Sequence, residues 1–546
     1  MSKPSLNDIQ SAAVDALKKG DDVRAFDLAC VALNNPQAGR LPAVIFGQAS
    51  QNLQLYKFNP SVRQAILAYL EQERVDHSYA HNMWTAMLTL DPVFQELMAV
   101  VQSRKVTVDD WLRIEPALQD SFLTRGLQKL ILRNPTYELF FRNIRKLVLM
   151  ELWPAGLLKT KNLPFLCALA EQCYSNEYVY ALSAEEEKAL ASLPHDNPVS
   201  VAILGCYRPL CDAGIDHRLS AVAAFRSLVR VQVLEPRREA ELMEGIRREG
   251  AIEDSVSQNV RAMYEENPYP RWQSIDLPLK KREGITGRML IAGCGTGRTA
   301  TQMGNVFPNA QIVACDISRR SISYAMRMAE KFGNGHVQFL QQDIMTIDQM
   351  EGRFDVVECS GVLHHMADPV AGWEKLLTKL EPDGMMLVCL YSEKAREDVK
   401  AVRDYIAGRG MEPTAENIRA LRAEILDTPG HPLARILRSR DFYTLSEARD
   451  LVFHIQETTY SLPMIRKIVD GLGLEFIRFK NPDNRTPRLY AARYPDDPDM
   501  NDLDHWHEFE QDHPLTFSGM YKMIFKKKGA KVSEAAQSMI QVAYSG

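Results

Sequence analysis

From the start of the chain to about residue 250, apolar residues recur at intervals of three and four. This interval places them on one face of a helix, and strand-like alternation is rare in the same stretch. The pattern predicts an all-helical domain over residues 1–250. Beyond about residue 259, short apolar runs alternate with helical patterns. Such alternation predicts a parallel sheet with helices on both faces.

Seven short apolar runs are the candidate strands of this sheet. Their lengths and residue types fit buried strands, and a helical detour precedes the last one. The runs are residues 289–292, 310–315, 337–340, 354–359, 385–390, 474–479 and 521–526.

Composition narrows the class of protein. The formal charge of −5 lacks the basic excess of a general nucleic-acid binder, although Lys526, Lys527 and Lys528 form one short basic run. The nine cysteines have no C-x-x-C spacing, so we expect buried reduced thiols and no metal site. The first residues contain no apolar signal core, and no apolar run reaches about 18 residues. We therefore expect a cytoplasmic location without membrane insertion.

Residues 13–36 resemble one tetratricopeptide unit. Alanines lie where two helices would touch, Gly20 lies at the turn and Pro36 at the end. No second convincing copy follows, and a stable array normally needs at least about three. An ordinary helical hairpin with alanine packing is the alternative.

A glycine-rich turn follows the first candidate strand. Gly293, Gly295 and Gly297 permit positive φ angles and a close approach of a ligand to the backbone. The backbone amides at the start of the following helix favour a carboxylate or phosphate. This turn alone predicts a nucleotide-like ligand.

Three further residues distinguish between the classes of nucleotide-like ligand that this turn could bind. Arg298 stands where the dinucleotide fingerprint requires glycine or alanine. Asp316 ends the second strand, where a carboxylate can accept both ribose hydroxyls. Asp343 follows the third strand, where an adenine amino group would lie, and a nicotinamide enzyme has no need of it.

With these residues, the domain resembles a class I S-adenosylmethionine-dependent methyltransferase. The resemblance implies a Rossmann-like, seven-stranded sheet with S-adenosyl-L-methionine across the carboxyl ends of its strands. It places Gly293, Cys294, Gly295, Thr296 and Gly297 at the methionine part, Asp316 and Ile317 at the ribose, and Asp343 and Ile344 at the adenine. Ser360 belongs to the segment 354–366, which resembles the lining of the methyl-transfer pocket.

One departure concerns the donor's amino group. Many members carry an acidic residue two places before the first glycine, where this chain has Ile291. The usual carboxylate contact is therefore missing at that position.

Segments 264–272, 449–454 and 516–521 resemble a bacterial group that joins a helical, often tetratricopeptide-bearing region to such a methyltransferase. After the helical domain 1–250, we expect a methyltransferase core at 251–395 and a helical insert at 396–456 that covers the acceptor side. The last strands follow at 457–530, and a tail at 531–546.

The acceptor side offers several candidate residues. His364 is a candidate base after the fourth strand, with loop packing as the alternative. His454 is a second candidate; three residues before Glu457, it could share a helix face with it, as a polar site or as a buried pair. His365 and the proline-rich flap with Tyr269, Arg271 and Trp272 are candidates for substrate binding, and core packing of Trp272 is the alternative.

The fourth strand lacks the Asn/Asp-Pro-Pro-Tyr pattern that holds a planar amino nitrogen in related enzymes. Nucleobase amino groups and glutamine side chains are thereby disfavoured, whereas hydroxyl, carboxyl, thiol, carbon, lysine and arginine acceptors stay open. We expect methyl transfer to a protein or small molecule, with the helical half recruiting it. The alternatives are an interaction scaffold with an inactive methyltransferase domain and, more remotely, a nicotinamide dehydrogenase.

Overall fold

The computed structural model describes residues 4–480 and 485–544. The chain folds into two compact units. The helical unit holds the described residues of 1–237, 272–279 and 414–448. The sheet unit holds those of 238–271, 280–413 and 449–546.

The helical unit confirms the helical prediction for the first part of the chain. Polar residues start several of its helices; Ser5, Thr107 and Ser183 each close a capping box with the acidic residue three places on. The helices up to the unit boundary are α1 (Leu6–Lys18), α2 (Asp22–Leu33), α3 (Leu41–Ser50), α4 (Pro60–Leu70), α5 (His81–Leu90), α6 (Gln95–Ser103), α7 (Val108–Leu118), α8 (Ser121–Lys129), α9 (Pro135–Leu147), α10 (Leu163–Ser175), α11 (Ala184–Ala191), α12 (Pro198–Gly205), α13 (Arg226–Val229) and α14 (Glu235–Glu244).

The first two helices form the expected hairpin. Ala13, Ala16, Ala25 and Ala29 are buried where the helices pack, and Gly20 turns the chain with a φ of 73°. Small side chains let the two backbones approach closely. The structure thus shows a helical hairpin at this position. A true tetratricopeptide repeat stays a prediction.

Later in the described part of the chain follow the α-helices α15 (Ser255–Glu266), α16 (Arg298–Val306), α17 (Arg319–Lys331), α18 (Pro369–Leu377), α19 (Glu397–Gly408), α20 (Ala415–Asp427), α21 (Leu445–Phe453), α22 (Leu462–Gly471), α23 (Thr486–Arg493), α24 (Leu503–Asp512) and α25 (Glu534–Tyr544).

The helix α20 packs within the helical unit, which divides the expected insert at 396–456. Arg422 of α20 donates two hydrogen bonds to Glu138 of α9, at 3.0 and 2.7 Å, and a third to the carbonyl of Phe442. Both charged side chains are buried. Of the insert, only residues 396–413 and 449–456 belong to the sheet unit.

The sheet unit contains one sheet of eight strands in the order β1-β4-β3-β2-β5-β6-β8-β7. The first six in this order run parallel, whereas β8 is antiparallel to both β6 and β7. The strands are β1 (Arg247–Arg248), β2 (Arg288–Ala292), β3 (Gln311–Asp316), β4 (Gln338–Gln341), β5 (Phe354–Ser360), β6 (Leu380–Leu390), β7 (Leu474–Phe479) and β8 (Tyr521–Lys527).

Seven of these strands match the apolar runs. The eighth, β1, corrects the expected count of seven: its two arginines are exposed and pair with Leu340 and Gln341 at the end of β4. A two-residue polar strand carries no apolar pattern, so periodicity could not reveal it.

Both faces of the sheet are covered, as expected. Leu290 and Val357 belong to one hydrophobic core, whereas Ile291 and Val356 belong to the core on the opposite face. The prediction of a tail at 531–546 is wrong for most of that segment. Residues 534–544 form α25, whose Ala536 and Met539 are buried in the second of these cores.

None of the helices within the described residues is long and apolar enough to cross a membrane.

Candidate active site

A cavity of about 300 Å³ lies at the carboxyl ends of β2, β3, β4 and β5. The strand order reverses between β2 and β5, because β3 and β4 lie on one side of β2 and β5 on the other. In open parallel sheets, ligands bind in the crevice at such a reversal. All the lining residues belong to the sheet unit.

The glycine turn forms one wall of this cavity. Gly293, Gly295 and Gly297 have φ angles of 71°, 52° and 75°. A Cβ on Gly293 would lie 2.2 Å from Val362 Cγ2, and one on Gly297 would lie 2.4 Å from Ala325 Cβ. Side chains are therefore excluded at these positions by both backbone conformation and close packing.

Asp316, at the end of β3, holds the turn in place. Its Oδ2 accepts a hydrogen bond from the Gly295 amide at 2.8 Å, and its Oδ1 accepts one from the Ser318 amide at 2.9 Å. Burial raises the pKa of this carboxyl to about 6, although the two amides act in the opposite direction. The side chain lines the cavity, and a carboxylate can accept further hydrogen bonds beyond those of these amides.

Gln342, Asp343 and Ile344 line the cavity after β4. Asp343 Oδ1 accepts a hydrogen bond from the Met345 amide at 2.9 Å. The Gln342 amide nitrogen donates to Thr346 Oγ1 at 2.8 Å, and its Oε1 is a buried acceptor with no hydrogen-bond partner among the described residues. A ligand amino group at this position would give that oxygen a donor.

Glu358 is a buried carboxylate that sequence reasoning did not select. It lies on β5 in register with Ile291 of β2, and both side chains line the cavity. Paired residues of neighbouring strands face the same side of a sheet. Glu358 thus places a carboxylate beside the position where Ile291 has none, and only the strand register reveals this.

A second wall of the cavity, which meets the glycine turn at Tyr269, carries polar aromatic side chains and a carboxylate. Tyr264, Tyr269, His365, Tyr391 and Asp450 line it. The Tyr264 hydroxyl donates to Asp450 Oδ1 at 2.7 Å, and His365 Nε2 lies 4.0 Å from the same oxygen.

The two histidines expected as bases lie behind this wall and are not among the lining residues. The His364 ring packs 4.1 Å from the Tyr391 ring, with both nitrogens buried and without a hydrogen-bond partner among the described residues. His454 stacks on His365 at 3.6 Å. The shared helix face of His454 and Glu457 is corrected, because α21 ends at Phe453.

The remaining expected residues are not among those that line the cavity. Thr296 and Gly297 pack within the turn, where the Thr296 hydroxyl donates to the Pro270 carbonyl. Arg271 lies 6.0 Å from the Tyr324 ring. Trp272 is buried and belongs to the helical unit, which favours its alternative reading as a core residue.

The cavity therefore joins two kinds of surface. One wall offers a glycine turn and carboxylates suited to an adenosine with a charged amino acid part, and the other offers hydrogen-bonding groups suited to a second molecule. This arrangement can hold a group donor and an acceptor side by side.

Comparison with known proteins agrees with this arrangement. Residues 286–428 match the family model described as methyltransferase domain. An uncharacterised Synechococcus protein is 30% identical over 44% of this chain and 64% of its own length. The tRNA 5-carboxymethoxyuridine methyltransferase of Escherichia coli K12 is 30% identical over 22% of this chain and 46% of its own length. The chain thus spans less than two thirds of the length of these curated relatives.

Among solved structures, the PKMT2 protein of Rickettsia typhi in complex with AdoHcy is similar at 16% identity and a TM-score of 0.35. The similarity covers 45% of this chain and 50% of that one. Residues 286–428, which contain the glycine turn, are thus similar to a methyltransferase domain, a family that binds S-adenosylmethionine.

Proposed function

We propose that this protein transfers a methyl group from S-adenosylmethionine to an acceptor bound in the same cavity. The observation that carries the proposal is the convergence of the glycine turn, Asp316 and Asp343 on one cavity whose other wall carries Tyr264 and His365.

The residues of the cavity fit the parts of the donor. Gly293 and Gly295 lie where the methionine part would approach the backbone, next to the start of α16. Asp316 would accept hydrogen bonds from the ribose hydroxyls, and the orphaned Gln342 Oε1 beside Asp343 would accept one from the adenine amino group.

Glu358 supports this fit at the methionine end. We propose that its carboxylate pairs with the α-ammonium group of the donor, in place of an acidic residue at position 291. A buried carboxylate facing a cation forms a charge-assisted hydrogen bond, which is stronger than a neutral one. The departure at Ile291 is thereby compensated from the neighbouring strand.

When bound, S-adenosylmethionine supplies an electrophilic methyl group on a positively charged sulfur. The chain's part is to hold the acceptor in line with the carbon–sulfur bond, exclude water and accept a proton where the acceptor carries one. Orientation of this kind can lower a barrier by about 7–11 kcal/mol.

Two measurements on the full chain test the proposal. Calorimetry with S-adenosylmethionine should show one site per chain with micromolar affinity, and labelled methyl groups should enter an acceptor from fractionated lysate. Binding without any transfer would favour an interaction scaffold instead. Protection from thermal unfolding by NAD but not by S-adenosylmethionine would favour a dehydrogenase.

We further propose that the helical unit recruits the acceptor. Its α2 exposes Val23 and Val31, which lie two turns apart and are 60% and 53% exposed. If the acceptor is a protein recruited here, label should enter protein fractions, and Val23→Ser with Val31→Ser should reduce that labelling but leave the affinity for S-adenosylmethionine unchanged. Label confined to small molecules would contradict the recruitment of a protein.

A further inference from the structure

Four polar side chains lie together beside the methyl-donor site; we name Tyr264, His365, Asp450 and His454 the acceptor cluster. The Tyr264 hydroxyl donates to Asp450 Oδ1 at 2.7 Å and lies 3.3 Å from His454 Nε2. His365 Nε2 lies 4.0 Å from Asp450 Oδ1. Of the four, Tyr264, His365 and Asp450 line the cavity.

The backbone of Gln456 fixes which ring nitrogens carry protons. His365 Nδ1 lies 2.8 Å from the Gln456 carbonyl, so this nitrogen donates and Nε2 keeps a lone pair. His454 Nδ1 accepts from the Gln456 amide at 3.1 Å, so its Nε2 carries the proton and points toward the Tyr264 oxygen. The cluster therefore presents one unprotonated nitrogen, His365 Nε2, on a residue of the cavity wall.

The same residues raise the question of a metal ion. Ligand atoms of His365, Asp450 and His454 lie within 4.8 Å of one another. However, His454 Nε2 is protonated in this arrangement, and a metal ligand needs a lone pair there. The two rings are also stacked with an angle of 19° between their planes, so their nitrogen lone pairs cannot converge on one ion. The geometry favours proton transfer over metal binding.

We propose that His365 is the catalytic base for an acceptor that bears a hydroxyl group, and that Asp450, Tyr264 and His454 are positioning residues. This proposal rests on the methyl-transfer function proposed above and names the acceptor class.

The bonds, the proton and the charge of the proposed methyl transfer are all accounted for within the cavity. The acceptor oxygen forms a bond to the methyl carbon as the carbon–sulfur bond breaks, and that electron pair stays on sulfur. The hydroxyl proton passes to His365 Nε2. One positive charge disappears from sulfur and one appears on the imidazole, next to the carboxylate of Asp450, so the net charge of the enclosed site does not change.

The need for a base distinguishes hydroxyl from amine acceptors. The hydrogen bond from Nδ1 to the Gln456 carbonyl leaves His365 Nε2 unprotonated, and burial lowers the pKa of this residue to about 4. The oxonium that forms as a hydroxyl oxygen is methylated is a strong acid and gives its proton to such a base. A neutral amine attacks with its free lone pair and needs no base in the cavity.

Hydrogen bonding to His365 can be observed without turnover. The full chain is labelled with ¹⁵N-histidine, saturated with S-adenosylhomocysteine and titrated with p-cresol, using His365→Gln to assign the resonance. We expect the Nε2 resonance to move upfield toward the position of a protonated nitrogen, and p-xylene, in which a methyl replaces the hydroxyl, to leave it in place. No shift with p-cresol, or an equal shift with p-xylene, overturns the proposal.

Transfer of labelled methyl to p-cresol and to p-toluidine gives the second readout. We expect 4-methylanisole from p-cresol, and slower N-methylation of p-toluidine that His365→Gln leaves unchanged, because the amine needs no base. His365→Gln should lower kcat for p-cresol by about 10²–10⁴, with unchanged affinity for S-adenosylmethionine, whereas the exposed control His336→Gln should match the wild type. Preferred methylation of p-toluidine, or full activity of His365→Gln toward p-cresol, overturns the proposal.

Metal analysis of the purified chain completes the test. We expect no stoichiometric Zn²⁺ or Fe²⁺, and no loss of p-cresol methylation in EDTA. A stoichiometric ion that disappears in His365→Gln would replace this proposal with a metal site. Absence of S-adenosylmethionine binding in the wild type would instead refute the methyl-transfer function itself.

Discussion

Replacement of Asp316 by asparagine removes one charge from the proposed ribose contact and leaves the size of the side chain unchanged. The carboxylate accepts hydrogen bonds from the Gly295 and Ser318 amides and lines the cavity. Asparagine has one acceptor oxygen for these two amides, and its NH₂ group cannot accept from a ribose hydroxyl.

The expected loss of affinity follows from the replacement of charged hydrogen bonds by neutral ones. A hydrogen bond to a charged group contributes about 1.5–3 kcal/mol, against about 0.5–1.5 kcal/mol for a neutral one. The two hydrogen bonds to the ribose hydroxyls therefore contribute about 2 kcal/mol less binding free energy in the variant. This corresponds to about thirtyfold weaker binding of S-adenosylmethionine.

The pH dependence of binding gives an independent check. Burial raises the pKa of Asp316 to about 6, with a smaller contribution from the nearby negative charge of Glu265. Below this pH the empty site holds a proton that binding must remove. The affinity of the wild type should therefore fall about tenfold between pH 7 and pH 5, and that of Asp316→Asn should stay nearly constant.

Calorimetry with S-adenosylmethionine and with 5′-methylthioadenosine, between pH 5 and pH 8, measures both effects. Asp316→Asn should weaken both ligands, because both contain the ribose, and thermal unfolding should confirm that the variant is folded. Wild-type affinity in the variant, or the same pH dependence in both proteins, would refute the ribose contact.

Three further predictions follow from the same structure. Glu358→Gln should weaken S-adenosylmethionine about tenfold and leave 5′-methylthioadenosine unchanged, because the latter lacks the ammonium group; equal effects on both ligands in calorimetry would argue against the pairing. Gly297→Ala should lower the free energy of unfolding in urea by about 2 kcal/mol or more, because its Cβ would meet Ala325; Gly333→Ala, with a φ of 77° and open space, should cost less. Glu138→Gln should cost about 3–5 kcal/mol by leaving buried Arg422 unpaired; a loss below 1 kcal/mol would contradict that.

Local signals sufficed for much of the sheet unit. The seven longer strands follow apolar runs, and the glycine turn, Asp316 and Asp343 follow strand ends that periodicity places at one edge. The positions of these residues depend on short stretches of chain. They could therefore be predicted without knowledge of distant contacts.

Other features depend on pairing between distant segments. Glu358 lies inside an apolar strand, and its relation to Ile291 requires the register of β5 against β2. Arg422 pairs with Glu138 at a separation of 284 residues, so the division of the insert has no local signal. The acceptor cluster likewise joins Tyr264 with Asp450, which lie 186 residues apart.

Calorimetric titration of the full chain with S-adenosylmethionine tests the central claim most directly. The account predicts one site per chain with micromolar affinity at pH 8, weakened about thirtyfold by Asp316→Asn. Absence of heat with S-adenosylmethionine, or binding that Asp316→Asn leaves unchanged, would contradict it.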